Sequence, residues 1–301
     1  MESATTLAYA LTSHASIRAA WGLFHQSQGI HQLAVEDGEA SFHPAQRSEH
    51  QVLGLEHVTG SGIHLRAEAY DKQLTDRRPS YRNWRDDIEI FPELAGDRIR
   101  LDLAGGHARG LELYARGETS PRLSWWASYA LAEVRDKIRS FGIDGQIFPF
   151  EDEIAGRYDQ RHTIYADVSL RPTPKWQLNM AWQYRTGWPY TNRLLHLRTA
   201  ADGSRYFAIE LDDPLAEDYP AVHRLDARLN RTFRVAGGRR HAFFEVTNVY
   251  DHDNVSSYVF FIDCGGSPNP EDCRLRKEED LWFGLLPSLG VELDLGSIAG
   301  L

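Results

Sequence analysis

The feature that most constrains this chain is a two-residue period that returns along most of its length. In "MAWQYRTGWPYT", Met180, Trp182 and Tyr184 fall on one parity, and Gln183 and Arg185 on the other. Successive side chains of a strand point to opposite faces, so such a segment folds as a strand with one greasy and one polar side. The pattern recurs. Ile164, Ala166, Val168 and Leu170 oppose Thr163, Tyr165, Asp167 and Ser169. Leu225, Ala227 and Leu229 oppose Arg224, Asp226 and Arg228; Leu65, Ala67 and Ala69 oppose Arg66, Glu68 and Tyr70. Near the end, Leu289, Val291 and Leu293 oppose Ser288, Gly290 and Glu292, with Pro287 interrupting the apolar set. No segment carries a convincing 3.6-residue face.

Connections between these segments alternate in length. Short ones lie at 13–16, 59–62, 118–122, 172–175 and 236–239, each built from turn-forming Gly, Pro, Ser or Thr. Long ones run at about 26–45, 76–105, 137–158, 190–219 and 251–281. They are polar, and the pattern predicts irregular loops there. About eleven strands of roughly ten residues follow, paired as hairpins, with every second connection long. A soluble sandwich also alternates, but its loops need not be long at one end only. A transmembrane barrel has short turns on one side and long loops on the other, an apolar face toward lipid and a polar lumen. The apolar parity is nearly free of charge over its middle. The opposite parity carries Arg66, Glu68, Glu112, Arg116, Asp167, Arg224, Asp226 and Arg228. These charges suit a wet lumen and would be costly in a dry core. Trp176 at one strand end, with Tyr184, Trp188 and Tyr190 at the other, matches interfacial aromatic girdles.

Composition excludes other classes. With a net charge of −10 over 301 residues and no basic stripe, the chain is unsuited to nucleic acid. No run of about 18 apolar residues could form a membrane-spanning helix. The opening "MESATTLAYALTSHAS" lacks the basic-then-apolar pattern of a secretory signal. The two cysteines, Cys264 and Cys273, flank a Gly/Pro/Asn-rich loop. They are read as a local disulfide formed in an oxidising compartment, with two free thiols as the alternative.

Several segments together resemble the C-terminal part of the barrel of TonB-dependent outer-membrane receptors: "YRTGWPYT" (184–191), "HRLDARLNRTF" (223–233) and "AFFEVTNVYDHDNVSSY" (242–258). They are preceded by "QRSEHQVLGLEH" (46–57), "LRAEAYDKQLTD" (65–76) and "GHARGLELYARG" (106–117). The resemblance implies an all-β, antiparallel transmembrane β-barrel of about 22 strands in the bacterial outer membrane. Residues 1–301 would be about its C-terminal half, a single barrel portion without the family's plug domain. Alone, such a portion would form a curved open sheet of about eleven strands. The resemblance also implies uptake of a scarce or bulky ligand, a siderophore-like iron chelate first. Energy would come from an inner-membrane partner acting through the missing N-terminal region. A passive porin or structural barrel is the alternative, and a soluble all-β binding module a third reading.

Recognition residues are sought in the long connections. Tyr81, Arg82 and Trp84 in "SYRNWRDD" combine aromatic rings with guanidinium groups, which suits a flat or anionic ligand; self-packing of the loop is the alternative. Arg185, Trp188 and Tyr190 end one strand, and the two rings would serve as membrane anchors or at the mouth of a ligand path. The 13 histidines show no metal-binding spacing, so no metal or cofactor is expected. Ser48, Glu49 and His50 are adjacent, but Glu49 and His50 point to opposite faces of a strand and cannot share a catalytic site. With no nucleophile elbow and no phosphate loop, no enzyme is expected.

Overall fold

A computed structural model of the chain describes residues 3–83, 98–143, 146–235 and 238–293. Among the described residues there is no α-helix; regular structure is antiparallel β apart from three single 3₁₀ turns. Eleven strands follow one another along the main sheet. They are β1 (Ser3–Ala10), β2 (Ala15–Gln26), β3 (Gln46–Val58), β4 (His64–Thr75), β6 (Arg98–Ser120), β7 (Leu123–Ile143), β9 (His162–Thr173), β10 (Trp176–Arg185), β15 (Val222–Val235), β16 (Gly238–Thr247) and β19 (Leu286–Leu293). β5 (Ser80–Asn83) adds to β6, and β8 (Gln146–Ala155) to β7. The order runs from β1 to β19, and among the described residues no pairing joins these two, so the sheet is open. The sequence reading of about eleven paired strands is the observed ladder.

The chain divides into two compact units, Met1–Leu55 with Ala67–Leu111 and Ala132–Asp159, and Glu56–Arg66 with Glu112–Leu131 and Gln160–Leu301. In the second unit the registers place side chains in rows across six strands. Leu123, Leu170, Leu178, Leu229, Phe244 and Leu289 stand opposite one another in turn, on one face. The next row on that face is Trp125, Val168, Met180, Ala227, Val246 and Pro287. Between them, on the other face, lies Ser124, Ser169, Asn179, Arg228, Glu245 and Ser288. A slip of one residue in any strand would throw charge into the apolar rows, so the pattern itself specifies register.

The apolar rows are not covered. Met180 is 38% exposed and Leu229 39%, although both sit on strands with a neighbour on either side; Leu289 on the outer strand is 82% exposed. Apolar area left in water costs about 25 cal/mol per Å², and a continuous apolar face of this extent marks a surface that meets lipid or protein. The ten residues of β10 also match the 9–11 that a tilted strand needs to cross a bilayer. Trp176 and Arg231 face each other at the short-turn end, the guanidinium carbon 5.1 Å from the indole centroid. There a basic side chain lies along apolar surface and reaches out to the polar boundary.

The long connections depart from the irregular loops expected of them. Segment 190–219 holds a hairpin of β12 (Arg193–Thr199) and β13 (Arg205–Leu211), and a short pairing of β11 (Pro189–Tyr190) with β14 (Glu217–Asp218). Segment 251–281 is a hairpin of β17 (Val255–Asp263) and β18 (Arg274–Leu281). Strands β6 and β7 continue to 23 and 21 residues, well into stretches expected to be loop. The reason is a second small core in the first unit: Ile99, Leu101 and Leu103 alternate along β6 and bury to 3–6% exposure, with Ile138 at 4% and Ile154 at 8%. Period two persists there, but charges on the other parity disguise it.

The face assignment has a direct test. Ala227→Arg, on the apolar face, is expected to cost about 2–4 kcal/mol of folded stability in a bilayer. Ala181→Arg, which stands between Asp167 and Asp226 on the polar face, is expected to fold as well as the wild type. The folded fraction in lipid vesicles, read by heat-modifiable electrophoretic mobility, distinguishes the two.

Candidate functional site

The end of β10 is where sequence and geometry converge. After Arg185 the chain leaves the main ladder: the Thr186 N–H donates to the His162 carbonyl at 2.9 Å, and Pro189–Tyr190 joins Glu217–Asp218 instead. Gly187 makes this exit possible. A Cβ there would fall 1.8 Å from the Tyr219 carbonyl oxygen, closer than any contact allows. The Tyr219 N–H donates to the Trp188 carbonyl at 2.9 Å and clamps the crossing. Pro189 has no N–H to leave unpaired, which suits it to so short a strand.

Arg185 and Trp188 form one unit. The Arg185 guanidinium carbon lies 4.7 Å from the Trp188 ring centroid. With its amide oxygen turned toward them, the Gln160 side chain accepts from Trp188 Nε1 at 2.9 Å and from Arg185 Nη1 at 3.1 Å. A half-buried ring is thus held with a cation over its face, an arrangement worth about 0.5–2 kcal/mol.

Tyr190 takes a different place. It is 3% exposed, inside a cluster rather than at an open rim. Its ring stacks on Tyr219 at 4.6 Å and meets Tyr258 edge-on at 5.2 Å. Its hydroxyl donates to Glu217 Oε2 at 2.5 Å and accepts from Lys277 Nζ at 3.0 Å; the ammonium also lies 4.3 Å from the Tyr258 centroid. Asn192 Nδ2 donates to the other Glu217 oxygen at 2.9 Å. Burial, with the Glu217 hydrogen bond and charge, pushes the Tyr190 hydroxyl far above the ordinary tyrosine range. Tyr190 therefore ties β11, β14, β17 and β18 together. Cys264 and Cys273 are joined across the tip of the β17–β18 hairpin, a closure that removes about 2–4 kcal/mol of unfolded-chain freedom in the loop-entropy account.

In the first unit, Tyr81 and Arg82 lie on β5, with Tyr81 opposite Arg100. The Arg82 guanidinium is 3.6 Å from Asp136, a 6%-exposed carboxylate that Arg77 also holds at 3.0 Å. Burial raises the Tyr81 hydroxyl above its ordinary range, and the Glu39 charge adds to the effect. Trp84 lies outside the described residues. Ser48 Oγ and His50 Nε2 are 2.6 Å apart on one side of β3, while Glu49 takes the indole N–H of Trp21 at 2.8 Å. Among the described residues, no acid stands behind the histidine.

Sequence reasoning passed over Asn248 and Asn254. Asn248 is fully buried at a left-handed φ of 55°. Its N–H donates to Asp226 Oδ1 at 2.9 Å and its amide exchanges two hydrogen bonds with the His252 backbone. Asn254 does the same for His223, donating to its carbonyl and accepting its N–H. The available signal was Asn in "TNVYDHDN", since Asn tolerates the left-handed region and bonds its own turn.

No family model and no curated protein sequence matches the chain. Solved structures do. The ferric citrate transporter FecA in its unliganded form superposes with a TM-score of 0.50 at 17% identity, over 96% of this chain and 37% of the transporter. The ferric-catecholate import receptor Fiu from E. coli K12 gives 0.52 at 13%, over 96% and 34%. The FrpB iron transporter from Neisseria meningitidis gives 0.53 at 12%, over 96% and 38%. This chain has the fold of a TonB-dependent receptor barrel. It spans just over a third of the length of each of these proteins, and its open sheet corresponds to part of their barrel wall.

Two outcomes follow for the loops of this sheet. Tyr190→Phe leaves Glu217 and Lys277 each short of a partner, and is expected to favour loop opening by about 1–3 kcal/mol, read as faster limited proteolysis between residues 190 and 281. In the wild type a hydroxyl whose folded pKa is raised contributes stability fully present below the unfolded value of about 10 and lost as pH rises through the folded one. The cleavage rate is therefore expected to stay flat from about pH 7 to 9.5 and to climb only in stronger alkali.

Proposed function

We infer that this chain is part of the wall of a bacterial outer-membrane receptor that imports a scarce or bulky ligand, an iron chelate first. The observation that carries the reading is the asymmetry of the sheet. Short turns close one end, while the other bears folded hairpins, a disulfide and a tyrosine cluster. Such an end is built to hold a shape outside the membrane, which a passive pore has little need of. The three structures named above are by their titles a ferric citrate transporter, a ferric-catecholate receptor and an iron transporter, and they lend support to iron as the cargo. In this reading residues 1–301 form the C-terminal portion of a single barrel domain. A plug and the segment that engages an inner-membrane energy-transducing protein belong to the preceding part of the receptor, and lipid surrounds the apolar face. Transport is by binding and release, without a catalytic step.

Arg185 and Trp188 are the residues assigned to ligand contact, the guanidinium for anionic oxygen and the indole for a flat face. Tyr81, Arg82 and Trp84 form a second set, and Tyr190 serves by holding the loops around it. Replacing either Arg185 or Trp188 by Ala is expected to raise the Kd for a ferric chelate about 3- to 30-fold.

Uptake of radiolabelled ferric citrate or ferric catecholate by iron-starved cells tests the function. Cells carrying the gene with its upstream sequence are expected to accumulate label until a protonophore is added. Cells expressing residues 1–301 alone are expected to accumulate none. Uptake that persists with the protonophore would establish the passive-porin reading instead.

A further inference from the structure

Within the second unit, the β17–β18 hairpin joins the main sheet at a base built around two stacked histidines. The His223 and His252 rings lie with centroids 3.8 Å apart and planes within 14°. His223 stands at the long-connection end of β15, opposite Tyr184, and His252 belongs to the turn between β16 and β17. His223 shares the parity of Leu225 and Ala227, so the pair sits at the end of the apolar face, away from the polar face that lines a lumen.

The base is held by few-residue contacts. Besides the hydrogen bonds of Asn248 and Asn254 described above, the Trp282 N–H donates to the Asn254 carbonyl at 2.8 Å and the Leu285 N–H to Asp251 Oδ1 at 2.7 Å. Asn248 and Asp251 both hold left-handed backbone, at φ 55° and 53°, a shape that non-glycine residues keep only while the surrounding contacts persist. Tyr184 stacks on His223 at 6.5 Å, and the Tyr250 hydroxyl shares a hydrogen bond with His223 Nδ1 at 2.9 Å. Asp251 and Asp253 flank His252 in the chain, and residues 282–285 bring no titratable group. Arg185, Arg224, Asp226 and Glu245 take the other parity.

One proton on such a pair is tolerable, since an imidazolium can lie over a neutral ring. Two protons set like charges face to face, which the closed arrangement resists. An opened base lets the rings part and take both protons, so acid favours opening. The closed state is therefore fully stabilised above the ordinary imidazole range near pH ~6.5 and weakens as pH falls through it.

We propose that the His223–His252 stack is an acid-sensitive latch that fixes the β17–β18 hairpin to the sheet and releases it when both rings are charged. Release carries away Tyr258 and Lys277, which clamp Tyr190, and so loosens the long-connection cluster while leaving the sheet intact. The latch is independent of which ligand the loops take.

The test is hydrogen–deuterium exchange of the full chain folded in detergent micelles, at about pH 7.5 and 5.5, either side of the ordinary imidazole range. Rates are corrected for the intrinsic pH dependence of amide exchange. Peptides covering 248–254 and 282–285 report the latch, and one covering 176–183 reports the sheet. In the wild type, latch protection is expected to fall about tenfold or more at the lower pH, since each extra proton bound on opening is worth up to about tenfold per pH unit. Protection of the sheet is expected to hold. His252→Phe, which keeps a flat ring but cannot take a proton, is expected to keep its latch protection at both pH values. Asp251→Asn, whose amide oxygen still accepts from Leu285, is expected to retain the fall. Unchanged latch protection in the wild type, a fall shared equally by the sheet, a fall that persists in His252→Phe, or one that vanishes in Asp251→Asn would overturn the proposal.

Discussion

Every feature of this sheet depends on one constraint: in hydrocarbon the backbone N–H and C=O groups have no water to turn to and must pair with a neighbouring strand. Once the ladder is formed, side chains have only two directions available. One must tolerate lipid and the other is left for everything polar. The row Leu123, Leu170, Leu178, Leu229, Phe244 and Leu289, and the row Ser124, Ser169, Asn179, Arg228, Glu245 and Ser288 one step away, are that choice made on six strands in register. The apolar residues gain little from one another. In the proposed reading lipid covers them, which accounts for how much leucine, methionine and tryptophan stays exposed on the protein itself.

Outside the hydrocarbon the constraint lapses, and shape must come from specific contacts. The long connections obtain it from a few costly arrangements. Gly187 passes where no Cβ fits. Tyr190 lies with its hydroxyl between a carboxylate and an ammonium. Asp136 is buried but held by two arginines. A buried hydroxyl, carboxylate or ammonium is tolerable only when its partners are present, so these clusters behave as units: removing one member strands the others. That rigidity keeps Arg185 and Trp188 in one orientation at the end of a strand whose other end meets a two-residue turn.

Much of the ladder was legible. Alternation needs only nearest neighbours in sequence, and hairpins need only a turn, so the strands and four of the five short connections stand where the pattern put them, the fifth falling partly outside the described residues. The long segments were legible in type but not in structure. In "RLLHLRT" and "RYFAIEL" the period is present, yet both faces meet water or other loops and the apolar contrast fades. The extension of β6 toward Arg98 was hidden because the partners of Ile99 and Leu101 lie tens of residues away. Arg185 and Trp188, close in sequence, also lie together in space, whereas Tyr190, equally close in sequence, does not join them. The exit at Gly187 carries it instead to Tyr219, Tyr258 and Lys277, partners 29, 68 and 87 residues further on. Asn248 went unnoticed for a similar reason, since nothing local distinguishes an Asn that will be fully buried from one in an open turn.

The sequence by itself determined the class of fold, the apolar face, the face that holds charge and the end at which the long connections gather. These follow from a period of two and from the spacing of turn residues, and both are local properties of a chain. Only the tertiary structure decided which loop residues are held inside and which stay partly exposed. It also decided that the connections are themselves folded. Such outcomes depend on contacts between residues far apart in sequence, where pairing, exclusion of water and backbone clearance are settled together.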